Sequence, residues 1–443
     1  MYYFQLKFTS LDIIHIFRGL LGVIFVISVC FLLSKAKKVI NWKLVGSGLL
    51  IQLIFAIGVL KVPFIKVFFT WVSSLFVGVL DFTRAGAAFL FGDLITKTDS
   101  FGYIFALQVL PTIIFFSALT SLMYYLGILQ KIVYGFAWVV SKFMLLSGAE
   151  SLAAAGNIFL GQTEAPLLVK PYIERMTKSE LLCLMIGGMA NIAGGVLAAY
   201  VGFLGGPSAE SQHVFATHLL CASVMSAPAA ILISKMILPE TEPEKINTDL
   251  TIADEKIGSN VLEAISIGTT DGIKLAINVG GMLLVFTALM AMINYIFVHG
   301  IGESTGLNET IKASSGGKYE GLTLQYLLGY VFAPVAWLIG VDSSDMNIVG
   351  QLLGEKTILN EFYAYGSLAQ LKNTGILTDE RSILLATYAL CGFSNFASIG
   401  IQIGGIGALA PNQRTSISQL GIKALVGGTL ATLLTASIVG MII

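Results

Sequence analysis

Two carboxylates stand where a charge is costly. Glu164 lies in GNIFLGQTEAPLLVKPY and Glu361 in TILNEFYAY, each at the polar centre of an otherwise apolar segment. A charged side chain at membrane depth costs about 2.5–3.5 kcal/mol on insertion scales, so such a residue marks function by default. The bland alternative is a structural pair with Lys170. That lysine is six residues beyond Glu164 and is long enough to reach the membrane interface instead. The run Gly161, Gln162, Thr163, Glu164 is expected to begin the second half-helix of its segment, where backbone N–H groups are free. Donors and acceptors on adjacent positions suit a flat polar solute with amide-like edges, such as a nucleobase. Glu361, together with Asn395 and Ser398 of CGFSNFASIG, suits a hydroxyl-rich solute such as a ribose, and Phe393 can pack on a ring. On chemistry alone, an amino acid or a sugar fits as well.

These residues need elements that hold polar groups inside an apolar medium. The chain has 443 residues, 56% hydrophobic and 12% charged, against roughly 25% charged in soluble domains. Apolar blocks long enough to cross a bilayer fall at about 20–34, 44–60, 101–126, 180–202, 213–237, 276–298, 382–408 and 418–442. The 35–43 loop carries four lysines, which places it in the cytoplasm. Alternation then puts 127–179 and 238–275 inside and 61–100, 203–212 and 299–381 outside, with both termini outside. Lys7 and Arg18 precede the first block, but the heavier charge follows it, so it reads as a span and not as a cleavable signal. Residues 128–147, 259–275 and 322–341 read as amphipathic helices at the interface. The polar stretch 238–258 reads as a solvated loop.

The segments 148–175 and 343–373 each have two apolar halves too short to span, broken by a polar centre. Backbone that leaves the helix at membrane depth must line a cavity or be buried in protein. Matching broken segments in two halves of a chain point to a carrier's binding site. The order matches: span, interfacial helix, broken hairpin, two spans, twice over. One hairpin begins inside and the other outside, which makes the repeat inverted. The expected fold is therefore an all-α polytopic membrane protein with eight transmembrane helices, two re-entrant helical hairpins in an inverted repeat, and interfacial helices.

Other chemistries find little support. Zero net charge argues for no nucleic-acid partner. Cys30, Cys183, Cys221 and Cys391 form no CxxC pair and read as buried thiols. His15, His213, His218 and His299 lie near span ends. The closest pair, His213 and His218, is spaced i, i+5, about 140° apart on a helix, so the two do not share a face as metal ligands would. No nucleophile–base pairing calls for an enzyme.

The runs GNIFLGQTEAPLLVKPY, NIAGGVLAAY, ASVMSAPA, LNEFYAYGSLAQL and CGFSNFASIGIQIGG resemble the concentrative nucleoside transporter family, in order, from about Phe101 onward. The resemblance implies a homotrimer in the inner membrane, importing nucleosides by symport with sodium and using no organic cofactor. It implies scaffold spans in 1–126 and a first transport repeat in 127–258. An interfacial helix and a scaffold span follow in 259–298, with span 6 at 276–298, and a second transport repeat in 299–443. Carried over by motif, Gly161, Gln162, Thr163, Glu164 and Val196 contact the base, Glu361, Asn395 and Ser398 the ribose, and Phe393 the nucleoside. The implied sodium ligands are Asn157, the backbone of Leu160, and Asn191 with the backbone of Ile192. Asn191 departs from the family's usual Ser or Thr, and its longer side chain shifts the geometry. The other reading is a sodium- or proton-coupled carrier for another small polar solute, such as an amino acid.

Overall fold

The computed structural model describes residues 13–101, 104–144, 146–206, 208–247, 250 and 257–443. Lys7 and the polar residues 251–256 lie outside the described residues. Among the described residues every regular element is helical. The longer helices are α1 (Ile13–Leu33), α2 (Trp42–Lys61), α3 (Pro63–Phe91), α4 (Leu110–Tyr125), α5 (Ile128–Met144), α6 (Gly148–Gly156), α7 (Lys178–Ala190), α8 (Gly194–Gly205), α9 (Ala209–Ile237), α10 (Val261–Tyr295), α11 (Leu324–Leu338), α12 (Met346–Ile358), α13 (Glu361–Asn373), α14 (Glu380–Leu390), α15 (Phe396–Leu409) and α16 (Arg414–Gly440). Among the described residues, eight helical stretches are long and apolar enough to cross a membrane.

Three features differ from the sequence expectation. First, α3 is one 29-residue helix, itself long and apolar enough to cross, where an outer loop at 61–100 was expected. Lys66, Asp81 and Arg84 interrupt its apolar run, but an 18-residue stretch holding no more than two charges remains hydrophobic enough. Second, 259–275 is not a separate interfacial helix. It runs unbroken into the following span as the 35-residue α10, about 52 Å long at 1.5 Å per residue. Glycines do not break it, because Gly268 and Gly272 lie against the backbone of α4 at Ser117 and Ile114, where a Cβ would collide. Third, 382–408 is two helices, α14 and α15, parted at residues 391–395.

The paired hairpins take shape from capping. Ser147 and Glu150 form a capping box that starts α6, and Thr177 and Glu180 form another that starts α7. In the second hairpin α12 ends at Ile358, and Asn360 caps α13 by accepting the Tyr363 N–H at 2.9 Å. The two hairpins enter from opposite ends of α1. Near its start, Arg18 donates to the Trp337 carbonyl at 3.4 Å and to that of Val341, just ahead of α12. Just past its end, the Lys35 N–H donates to Ile237 O at 3.3 Å, and the loop that follows Ile237 receives the first hairpin through Gly148 N to Asn247 O at 2.9 Å. Entry from opposite ends fits an inverted repeat.

Burial divides the molecule. Of the 18 residues that mark each as a candidate span, 83%, 83% and 78% are buried in the stretches holding α7–α8, α9 and α16, against 6% in that holding α10. The first three form a core with the hairpins. α4 and α10 pack on each other at its side.

Candidate functional site

The site forms where helices stop. α7 ends at Ala190 and α8 starts at Gly194, leaving Asn191, Ile192 and Ala193 unwound; α14 and α15 leave residues 391–395 unwound. The two breaks cross. The Phe393 N–H donates to Asn191 O at 3.3 Å, and a Cβ on Gly392 would fall 2.8 Å from Met189 O. That crossing brings both hairpin tips to one place.

A chain of polar contacts joins the tips. Asn395 donates its Nδ2 to Glu361 Oε2 at 2.7 Å. Its Oδ1 accepts the Ser398 N–H at 2.9 Å and so caps α15. Ser398 Oγ accepts from Gln162 Nε2 at 3.1 Å. Glu361, Asn395, Ser398, Phe393 and Gln162 are all buried. Val196 is buried at the start of α8. Most of these polar groups satisfy one another, as buried polar groups do. Gln162 Oε1 is left without a partner.

Thr163 and Glu164 are exposed instead. Glu164 faces a cleft lined also by Leu160 and Val196, by Ser117 and Thr120 of α4, and by Asp271 of α10. Its Oε2 accepts the Gly161 N–H at 2.7 Å. This corrects one expectation. Residues 161–164 form a turn, continued by a 3₁₀ stretch, Ala165–Val169, and a single helical turn, Lys170–Ile173, in place of an α half-helix. Pro166 and Pro171 remove the N–H groups an α-helix would use. The carboxylate of Glu164 is thus held by backbone, on the rim of the cleft.

Beside the first tip lies a second polar cluster. Asn157 is 1% exposed, and both its side-chain Oδ1 and Nδ2 lack partners. Ser223 Oγ contacts Ile158 O at 2.8 Å and Asn191 Oδ1 at 3.3 Å. Asn191 Nδ2 donates to Gly187 O at 3.2 Å. Leu160 and Ile192 are buried on the same two segments. Neutral oxygens at a helix break, with an orphaned amide among them, fit a small hard cation. Ser223 lies in the run ASVMSAPA and was not singled out by sequence reasoning; it looks there like a small residue of helix packing. Tyr200 was also missed. It closes the run NIAGGVLAAY, is fully buried, and stacks on Tyr365 at 4.1 Å between ring centroids.

Residues 218–440 match the family model described as the C-terminus of Na+ dependent nucleoside transporters, residues 21–94 match the corresponding N-terminus, and residues 106–207 match a nucleoside-recognition model. The chain belongs to the Na+ dependent nucleoside transporter family. An uncharacterized transporter of Haemophilus influenzae is 41% identical, covering 97% of this chain and 98% of that one. Sodium/nucleoside cotransporter 1 of Rattus norvegicus is 37% identical over 92% of this chain, which spans 61% of the rat protein. Among solved structures, the transporter CNTnw in an inward-facing substrate-bound state superposes with a TM-score of 0.86 at 38% identity, covering 96% of this chain and 99% of that one. A CNTnw variant in an outward-facing state superposes at 0.88 and 37%, covering 97% and 98%. The family is one of transporters, not enzymes.

Proposed function

We infer that this protein imports nucleosides together with sodium by alternating access, with no covalent step. The observation that carries this reading is the polar chain from Glu361 through Asn395 and Ser398 to Gln162, which ties both hairpin tips together across the two helix breaks. Gly161, Gln162, Thr163, Glu164 and Val196 take the base. Glu361, Asn395 and Ser398 take the ribose, and Phe393 packs on the nucleoside. Sodium, as co-substrate, takes oxygens from Asn157, Leu160, Asn191 and Ile192, with Ser223 beside them. One charge crossing ~100 mV supplies about 2.3 kcal/mol, enough for roughly 50-fold accumulation of a neutral solute.

The 35–43 loop lies in the cytoplasm of this multi-pass plasma-membrane protein, and both termini lie outside. Ile257, in the loop joined to the end of α9, helps line the cleft beside Glu164, so the cleft opens toward the cytoplasm. The exposed apolar face of α10, including Leu262, Ile277, Leu284 and Met292, suits lipid and the neighbouring subunits of a homotrimer. Uptake of radiolabelled uridine and adenosine into proteoliposomes tests the function. Accumulation should require an inward sodium gradient. Uptake driven by a proton gradient alone, or of an amino acid but no nucleoside, would return the assignment to the other carrier classes.

A further inference from the structure

The second hairpin buries an ammonium group that the assignments above do not use. Lys356, near the end of α12, is 1% exposed. A buried charge is tolerated only when paired and hydrogen-bonded. Its Nζ donates to Ala389 O at 2.9 Å and to Thr432 Oγ1 at 3.1 Å. Ala389 is the last residue but one of α14, and the final carbonyls of a helix lack partners within it and carry the negative end of its dipole. Past the break, Cys391 N turns back to Tyr388 O and Gly392 N to Leu390 O, while Ala389 O takes the lysine. The adjacent Glu355 instead accepts from Gln351 Nε2 at 3.0 Å. Glu361 opens α13 five residues along, at the tip of the same hairpin.

The first repeat assembles the same parts. Asn157 and Ile158 at the hairpin tip, Asn191 at the broken span, and the Ser223 hydroxyl on the following span converge there. In the second repeat they are Lys356 on the hairpin, Ala389 at the broken span and the Thr432 hydroxyl on the following span. The first set is neutral and rich in oxygens. The second set already holds a positive charge, covalently attached.

We propose that Lys356 is a tethered cation, occupying in the second repeat the place that sodium takes in the first, and that it holds the second hairpin and Glu361 in ribose-binding geometry without an ion. Lys356 is then a positioning residue that acts through Glu361. The carrier is asymmetric: sodium governs the base-side hairpin, while the ribose-side hairpin is clamped permanently. This proposal rests on the reading of Glu361 as a ribose ligand.

The test is calorimetric titration of the full-length protein in nanodiscs at saturating sodium, with uridine and with 2′,3′-dideoxyuridine, which lacks the hydroxyls Glu361 would accept. Lys356→Met should weaken uridine binding tenfold or more, yet bind the dideoxy analogue within twofold of wild type. Half-saturation of sodium-dependent thermal stabilisation, measured without nucleoside, should stay within twofold. Thr432→Val, which keeps the lysine and removes one acceptor, should shift uridine the same way by a smaller factor. It carries the comparison should Lys356→Met fail to fold. Equal losses for both nucleosides, an unchanged uridine affinity, or a sodium shift as large as the uridine shift each overturn the proposal. Wild-type protein that binds no uridine, or Glu361→Gln that binds it normally, overturns the ribose reading itself and with it this inference.

Discussion

At the scale of single residues, the chemistry turns on which polar groups are held and which are spare. Glu361 is buried and already accepts from Asn395, so its remaining lone pairs are set for hydroxyl donors. Hydrogen bonds to a charged group are worth about 1.5–3 kcal/mol. Glu361→Gln should therefore reduce uridine uptake by roughly ten- to a hundredfold while the protein still assembles. Proteoliposome uptake beside size-exclusion profiles measures this, and wild-type transport by that variant would remove Glu361 from the site. Asn157 is the reverse case, a buried amide with no partner. Asn157→Ala deletes one ligand oxygen, so half-maximal uptake should need several times more sodium at an unchanged uridine KM under saturating sodium. An unchanged sodium requirement would place the ion elsewhere. These carboxylates and amides were legible in the sequence because a polar residue inside an apolar run is conspicuous. Ser223, Tyr200 and Lys356 were not. Serine and tyrosine are common in membrane helices, and nothing in a linear sequence tells that Lys356 points inward instead of reaching the interface.

At the scale of elements, the order of parts was readable and their internal form was not. Two broken hairpins and two interrupted spans arise where glycine and polar residues cut apolar runs. The 3₁₀ form after Glu164 was signalled by Pro166 and Pro171, yet an α half-helix was expected because the flanking residues are apolar. α3 was missed since its charges hid its length. α10 was divided since Asp271 and Lys274 sit mid-helix; both side chains are exposed, 3.6 Å apart, and leave the backbone helical. The close crossing of the two breaks has no linear signature. It depends on Gly392, whose added Cβ would lie 2.8 Å from Met189 O and 2.9 Å from the Ala190 carbonyl carbon, both backbone atoms that cannot step aside. Gly392→Ala should lower the melting temperature by several degrees and cut uptake. Gly400→Ala, where a Cβ meets nothing within 4 Å, should do neither. A Gly392→Ala protein with normal stability and transport would show that the breaks need not touch.

At the scale of the molecule, the question is which body moves. The solute's hydrogen bonds come from two hairpin tips and two broken spans, and these must stay together at membrane depth. α4 and α10 pack on each other and meet that assembly across the cleft beside Glu164. The assembly is therefore expected to travel as a unit against α4 and α10, with α5 and α11 as hinged supports. Geometry supplies a lock. A Cβ built on Gly195, at the start of α8, lies 3.2 Å from the Cβ of Phe116 on α4, close to the separation a disulfide needs. The pair Gly195→Cys with Phe116→Cys should oxidise readily and abolish uptake, and reduction should restore it. Cys30, Cys183, Cys221 and Cys391 are buried and should not compete. A control pair inside the moving body, Ile399→Cys with Gly421→Cys, has its Cβ positions 3.7 Å apart between α15 and α16. That bond should form and leave transport largely intact, because both helices travel together. Full uptake with the first bond formed would mean that α8 and α4 belong to the same body, and that the boundary between scaffold and carrier runs elsewhere.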